Sequence, residues 1–109
     1  MMTMNQYQSQ AVQTKVYGTG DLITYPTLGL VNEAGEVAGK VKKVLRDNEG
    51  IFSQEWKEKI ADECGDVLWY IAALADDLGI TLGEIASRNI SKLKSRHERG
   101  VIQGSGDNR

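Results

Sequence analysis

Two long stretches of this chain repeat their apolar residues every three or four positions. Leu30, Glu33, Val37, Val41 and Val44 step along the first. Ile60, Glu63, Val67, Ile71, Leu74 and Leu78 step along the second. That period marks the buried face of an amphipathic α-helix, and strand signal is almost absent, so the expected fold is all-α. Each stripe is interrupted by acid. Glu33 and Glu36 form one pair and Glu63 and Asp66 another, each at i,i+3 spacing, which places both side chains on one helix face. A buried, unpaired carboxylate is costly, or its pKa shifts until it is neutral. Four of them converging also repel one another. A divalent cation is the simplest remedy, and the pattern reads as a metal site.

Four helices are expected. The first runs from about Thr3 to Val16, with Met4, Tyr7, Ala11 and Val12 facing inward. After a loop from Tyr17 to Tyr25, Pro26 suits the first turn of a second helix, where its missing N–H is not needed. That helix continues to about Arg46, and Asp47-Asn48-Glu49-Gly50 is a turn signal. Ser53 is the expected N-cap of a third helix running through Leu78, with Gly79 just beyond its end. At about 25 residues it is roughly 38 Å long, which outruns a small monomer's core and points to packing against another subunit. Thr81-Leu82-Gly83-Glu84 has the form of a capping box opening a fourth helix, which ends near Arg99-Gly100. The tail, Val101 to Arg109, has no helical period and reads as a flexible terminus or a lid.

At 109 residues the chain is expected to be a single domain, 1–109. A net charge of −2 argues against a nucleic-acid or membrane-surface partner. The longest apolar run, Val67 to Ala75, is too short to span a bilayer. The N-terminus has no basic region followed by an apolar stretch, so no signal peptide is expected. Cys64 is the only cysteine, so a reducing, cytoplasmic setting fits best. His97, the only histidine, sits on a basic helix end, and with no other base available Cys64 reads as a structural thiol rather than a nucleophile.

All-oxygen ligands favour hard cations, Mg²⁺ or Mn²⁺. Bundled di-iron sites use Glu-x-x-His pairs, and neither Glu36 nor Asp66 is histidine. Mg²⁺ held by few carboxylates usually handles substrate phosphates. The fourth helix offers donors for them: Asn89, Lys92, Arg96 and Arg99 share a face. Of the second basic run, Lys40, Lys42 and Lys43, it is Lys43 that is expected to leave solvent for substrate. Trp69 and Tyr70 follow Asp66 closely; both read first as core or interface aromatics, and either can also border a base-binding pocket. Gly35 and Gly65 lie inside the acidic pairs, where glycine costs about 1 kcal/mol relative to alanine, so each is expected where another backbone or a ligand approaches closely.

Together, LGLVNEAGEVAGKVKKVLRD, ADECGDVLWYIAALADDLG and IASRNISKLKSRHERG resemble the all-α nucleoside triphosphate pyrophosphohydrolases of the MazG-like superfamily. The tail VIQGSGDNR is similar to endings of short phage and bacterial members. The resemblance covers about Tyr25 to Arg109. It implies hydrolysis of an NTP or dNTP between the α- and β-phosphates, giving the monophosphate and pyrophosphate. It implies Mg²⁺ held by Glu33, Glu36, Glu63 and Asp66. It also implies helices paired across subunits into a bundle, as a homodimer or homotetramer. On this reading Glu36 orients or deprotonates the attacking water, Lys92 and Arg96 hold phosphate oxygens, and Asn89 fixes the phosphate or sugar. Phosphoribosyl-ATP pyrophosphatase and a non-catalytic metal-binding assembly module stand as alternatives.

Overall fold

The two apolar stripes become the two longest helices, and they pack as an antiparallel hairpin. The computed structural model, which describes residues 1–109, contains α1 (Met4–Ala11), α2 (Thr24–Asp47), α3 (Gln54–Asp77) and α4 (Leu82–Glu98), with no strand. Pro26 lies in the first turn of α2, as its chemistry requires. After α2 the chain reverses through Glu49 and Gly50, both at positive φ. The Ser53 hydroxyl then caps α3 by accepting the Trp56 N–H. At 24 residues α3 is about 36 Å long. Gly79, at φ 73°, ends it: the Ile80 N–H reaches back to the Ala75 carbonyl, closing the last turn.

The first helix is shorter than its sequence indicates. It stops at Ala11, gives way to a single 3₁₀ turn over Val12–Thr14, and then leaves helical geometry. The Thr14 hydroxyl donates to the Ala11 carbonyl at 2.7 Å, so a side chain takes over an acceptor near the helix end. Thr14 in turn accepts from Trp69 Nε1 at 2.7 Å, which fixes the break against α3.

Gln8 holds α1 in place. Its buried amide donates to the carbonyls of Ala72 and Ile80 and accepts the Leu82 N–H. Asn5, one turn earlier, accepts the Gly83 N–H. Two amide nitrogens at the start of α4 are therefore satisfied by α1, beyond the Thr81 hydroxyl that caps Glu84. The reciprocal half of the expected capping box does not form there, because the Glu84 carboxylate pairs with Arg88 at 3.1 Å instead. Around this bracket sits the core: Ala11, Ala72, Ala75 and Leu82, with Tyr7, Leu68, Trp69, Ile71, Ile80 and Ile85 packed on it.

A second anchor joins the loop before α2 to the end of α3. Asp77 accepts hydrogen bonds from Lys15 Nζ, the Tyr17 hydroxyl and the Ile23 N–H. Ile23 has φ 67° and ψ −52°, and the Thr24 N–H bonds to the Leu22 carbonyl across it at 2.7 Å. This is a γ-turn of the positive-φ kind, which is rare and strained at a β-branched residue, by about 1–3 kcal/mol.

Little of the chain is shielded from solvent. Nine of 109 residues are buried. The radius of gyration is 16.8 Å, against about 13 Å for a compact domain of this length. Leu28, Val31 and Leu45 are exposed along α2, and Ile90 and Leu93 along α4.

Candidate metal centre and the cavity beside it

The antiparallel pairing of α2 and α3 brings the acidic pairs together. Carboxylate oxygens of Glu33, Glu63 and Asp66 all lie within 4.8 Å of one another. Glu36 is exposed and outside this trio, yet close enough for its charge to act on Glu33. Burial first, then the charges of Asp66, Glu63 and Glu36, push the Glu33 carboxyl above the usual carboxylate range. Three hard oxygen donors converging with a neighbour's negative charge suit a divalent cation, and no imidazole or thiolate belongs to the set.

One protein cation reaches the cluster, and it is Lys40. Its Nζ lies 3.6 Å from Glu63. Lys43, the lysine expected at the substrate, is instead exposed. Helical geometry explains the difference: Lys40 falls about 20° from Glu33 around α2, and Lys43 about 80° away.

A cavity of about 360 Å³ opens beside the acids, lined by Thr14, Glu33, Asp66, Trp69 and Tyr70. Its aromatic wall continues outward. Trp69 meets Tyr70 edge-on at 4.9 Å, Tyr25 lies 6.3 Å from Tyr70, and Tyr17 stacks on Tyr25 at 4.8 Å. Burial, then Tyr25, then Glu33 and Asp66 push the Tyr70 phenol up, so it stays a neutral donor next to the acids. Burial and the charge of Asp66 do the same for Tyr7 on α1.

The close helix crossing occurs at Gly29, four residues before Glu33. A Cβ there would collide with the ring of Tyr70. Gly35 and Gly65, the glycines expected at a close approach, have open space in this chain. Gly29 carries a readable signal, since it is a helix-interior glycine on the face of Glu33. Thr14, which lines the cavity, and Tyr17 carry no such signal, because only the folded segment before α2 brings them near it; Tyr25, in the first turn of α2, joins the wall through Tyr70 without lining the cavity.

The donor row of α4 is elsewhere. No residue of α4 lines the acid-bordered cavity. Asn89 and Lys92 line another, of about 320 Å³, with Leu78, Ile80, Ile85 and Arg88. Leu78 is about 18 Å along α3 from Asp66. Arg96 is buried, and its guanidinium donates to the Asp107 carbonyl at 3.3 Å and lies 3.6 Å from the Asp107 carboxylate. Lys92 is 4.0 Å from that carboxylate, and Arg99 donates to the carbonyl of Arg109. The tail thus folds back over the row. His97 and Cys64 are both exposed.

Comparison with known proteins gives this geometry a family. Residues 24–101 match the MazG nucleotide pyrophosphohydrolase domain. The chain is 50% identical to "Gene 37 protein" of Mycobacterium phage L5 over 114 residues, covering 99% of this chain and 100% of that protein. It is 34% identical to "Uncharacterized protein YvdC" of Bacillus subtilis (strain 168) over 74 residues, 63% of this chain and 70% of that one. No solved structure gives a significant match. With the family match spanning both acidic helices and α4, this chain belongs to the MazG nucleotide pyrophosphohydrolase domain family.

Proposed function

We propose that this chain is a Mg²⁺-dependent pyrophosphohydrolase of nucleoside triphosphates, dNTPs foremost, cleaving between the α- and β-phosphates to release the monophosphate and pyrophosphate. The observation that carries this reading is the convergence of Glu33, Glu63 and Asp66 within 4.8 Å at the mouth of an aromatic-lined cavity. Those three carboxylates hold the cation, with Mn²⁺ as a substitute. When bound, Mg²⁺ neutralises charge on the phosphates and lowers the pKa of a coordinated water. Glu36 is next to the trio and exposed, the position of a group that orients or deprotonates the attacking water. Lys40 steadies Glu63. Trp69 and Tyr70 face the non-phosphate end of the nucleotide, with Tyr25 and Tyr17 extending that wall.

The active unit on this reading is a homo-oligomer. Asn89, Lys92 and Arg96 lie outside the acid-bordered cavity of their own chain; on this reading they hold phosphate at the acids of another copy, Lys92 and Arg96 after the tail releases their contacts with Asp107. Leu28, Val31, Gly35 and Ala38 form an exposed apolar and small-residue patch on the first half of α2 on which that copy can pack, bounded by Lys42 on the same face.

Three measurements test these statements. Pyrophosphate release from a panel of NTPs and dNTPs is expected with Mg²⁺ and absent with EDTA. Glu36→Gln and Glu63→Gln should each lower kcat at least about 100-fold. Release of orthophosphate, or full activity in those variants, contradicts the reaction. Light scattering is expected to give a multiple of the 12.0 kDa chain mass, and a fully active monomer contradicts the shared site.

The third concerns pH. Glu33 in the folded chain titrates above its ordinary value of 4.5. As pH rises, the unfolded chain loses that proton first, so the folded state is penalised from about pH 4.5 upward until Glu33 itself ionises, and the penalty persists above that. Metal-free Glu33→Gln should therefore melt above wild type at pH 7 and together with it below about pH 4. A lower Tm for the variant at pH 7 contradicts this electrostatic account.

A further inference from the structure

Asp77 is outside the acid cluster, and its side chain is fully inaccessible to solvent. An isolated buried carboxylate is disfavoured, yet this one has three donors: Lys15 Nζ at 2.6 Å, the Tyr17 hydroxyl at 2.9 Å and the Ile23 N–H at 2.9 Å. Burial pushes its carboxyl up, but these hydrogen bonds outweigh burial and hold it below the usual carboxylate range. The three donors span the loop between α1 and α2. Lys15 and Tyr17 lie at its start, and Ile23 at its end, held in a strained positive-φ turn. Lys15 also bonds Asp76 at 2.8 Å and lies 5.1 Å over the Tyr17 ring.

What this anchor fixes is the aromatic wall. Tyr17 stacks on Tyr25, Tyr25 leans on Tyr70, and Tyr70 borders the acids. Without Asp77 the Ile23 turn loses a hydrogen bond that offsets its strain, and Tyr17 loses the acceptor that orients its ring. We propose that Asp77 is a positioning residue: it pins the Lys15–Ile23 loop to the end of α3 and so sets the Tyr17–Tyr25 wall against which the nucleotide's base and sugar end rests. This inference rests on the proposed nucleotide reaction. It assigns a role to residues 15–23, which precede the residues matched by the family.

The test compares wild type, Asp77→Asn and Tyr17→Phe, each well below its melting temperature. Two readouts are taken: amide exchange at Ile23, and steady-state pyrophosphate release. Asp77→Asn should speed Ile23 exchange about tenfold and raise KM about tenfold, as expected for losing a charged hydrogen-bond acceptor, with kcat within about twofold. Tyr17→Phe, which keeps the ring and removes one donor, should raise KM about threefold; if Asp77→Asn does not fold, this variant decides. Unchanged exchange at Ile23 overturns the anchor. Faster exchange with KM unchanged in both variants overturns the link to substrate and leaves Asp77 a purely structural residue. A wild-type protein that releases no pyrophosphate from any nucleotide sinks the proposed reaction, and with it the role of the anchor. That outcome is separable from the others because the exchange measurement needs no substrate.

Discussion

Mutual repulsion among Glu33, Glu63 and Asp66 is the constraint around which the hairpin is built. Their oxygens lie within 4.8 Å of one another, and one lysine does not neutralise them. Folding alone gains nothing from such a cluster. The apolar contacts of the α2–α3 hairpin and the core around Leu82 have to hold the helices together against it. On the proposed metal-dependent reading the clustering is preorganisation, with oxygens placed ahead of the cation and the cost offset by packing elsewhere. Gly29 shows how local the arrangement is. It lets α2 approach the face of Tyr70, one turn from Glu33, and any side chain there would displace the ring that borders the acids.

Much of this is legible in the sequence because it is periodic or local. The stripes through Val37 and Val67 identify two helices, and i,i+3 spacing puts the acids on their inner faces. Ser53, Gly79 and Thr81 mark ends, since caps depend on neighbours a few residues away. What escapes a linear reading depends on residues far apart in sequence. Gln8 looks like one more polar residue on a polar helix, yet it is buried because it bridges α1, α3 and the start of α4. Asp77 looks like a helix-end acid, yet a loop over 50 residues earlier closes on it. Helix α1 ends earlier than its pattern indicates because the Thr14 hydroxyl competes for a backbone acceptor, while Trp69 holds that hydroxyl. The lysine at the acids is Lys40 rather than Lys43, a distinction that helical angle alone can make.

The family match begins at residue 24, but the site does not. Thr14 lines the cavity, Tyr17 extends its aromatic wall, and Tyr7 lies within electrostatic reach of Asp66. The matched residues carry the acidic centre, and the preceding segment supplies part of the chain's own enclosure of it. The acidic centre thus falls inside the residues matched by the family, while Thr14 and Tyr17 fall outside them. The phage L5 protein, similar along the whole chain, is the natural comparison for that wall.

A cation site at Glu33, Glu63 and Asp66 would reveal itself in a metal titration. Mn²⁺ is added to the protein without nucleotide, and the free ion is followed by its electron paramagnetic resonance signal. Saturable uptake is expected for wild type and is expected to be lost in Glu63→Gln and in Asp66→Asn. A free-ion signal rising in proportion to added Mn²⁺ from the first addition, identical in wild type and variants, would contradict a cation site there.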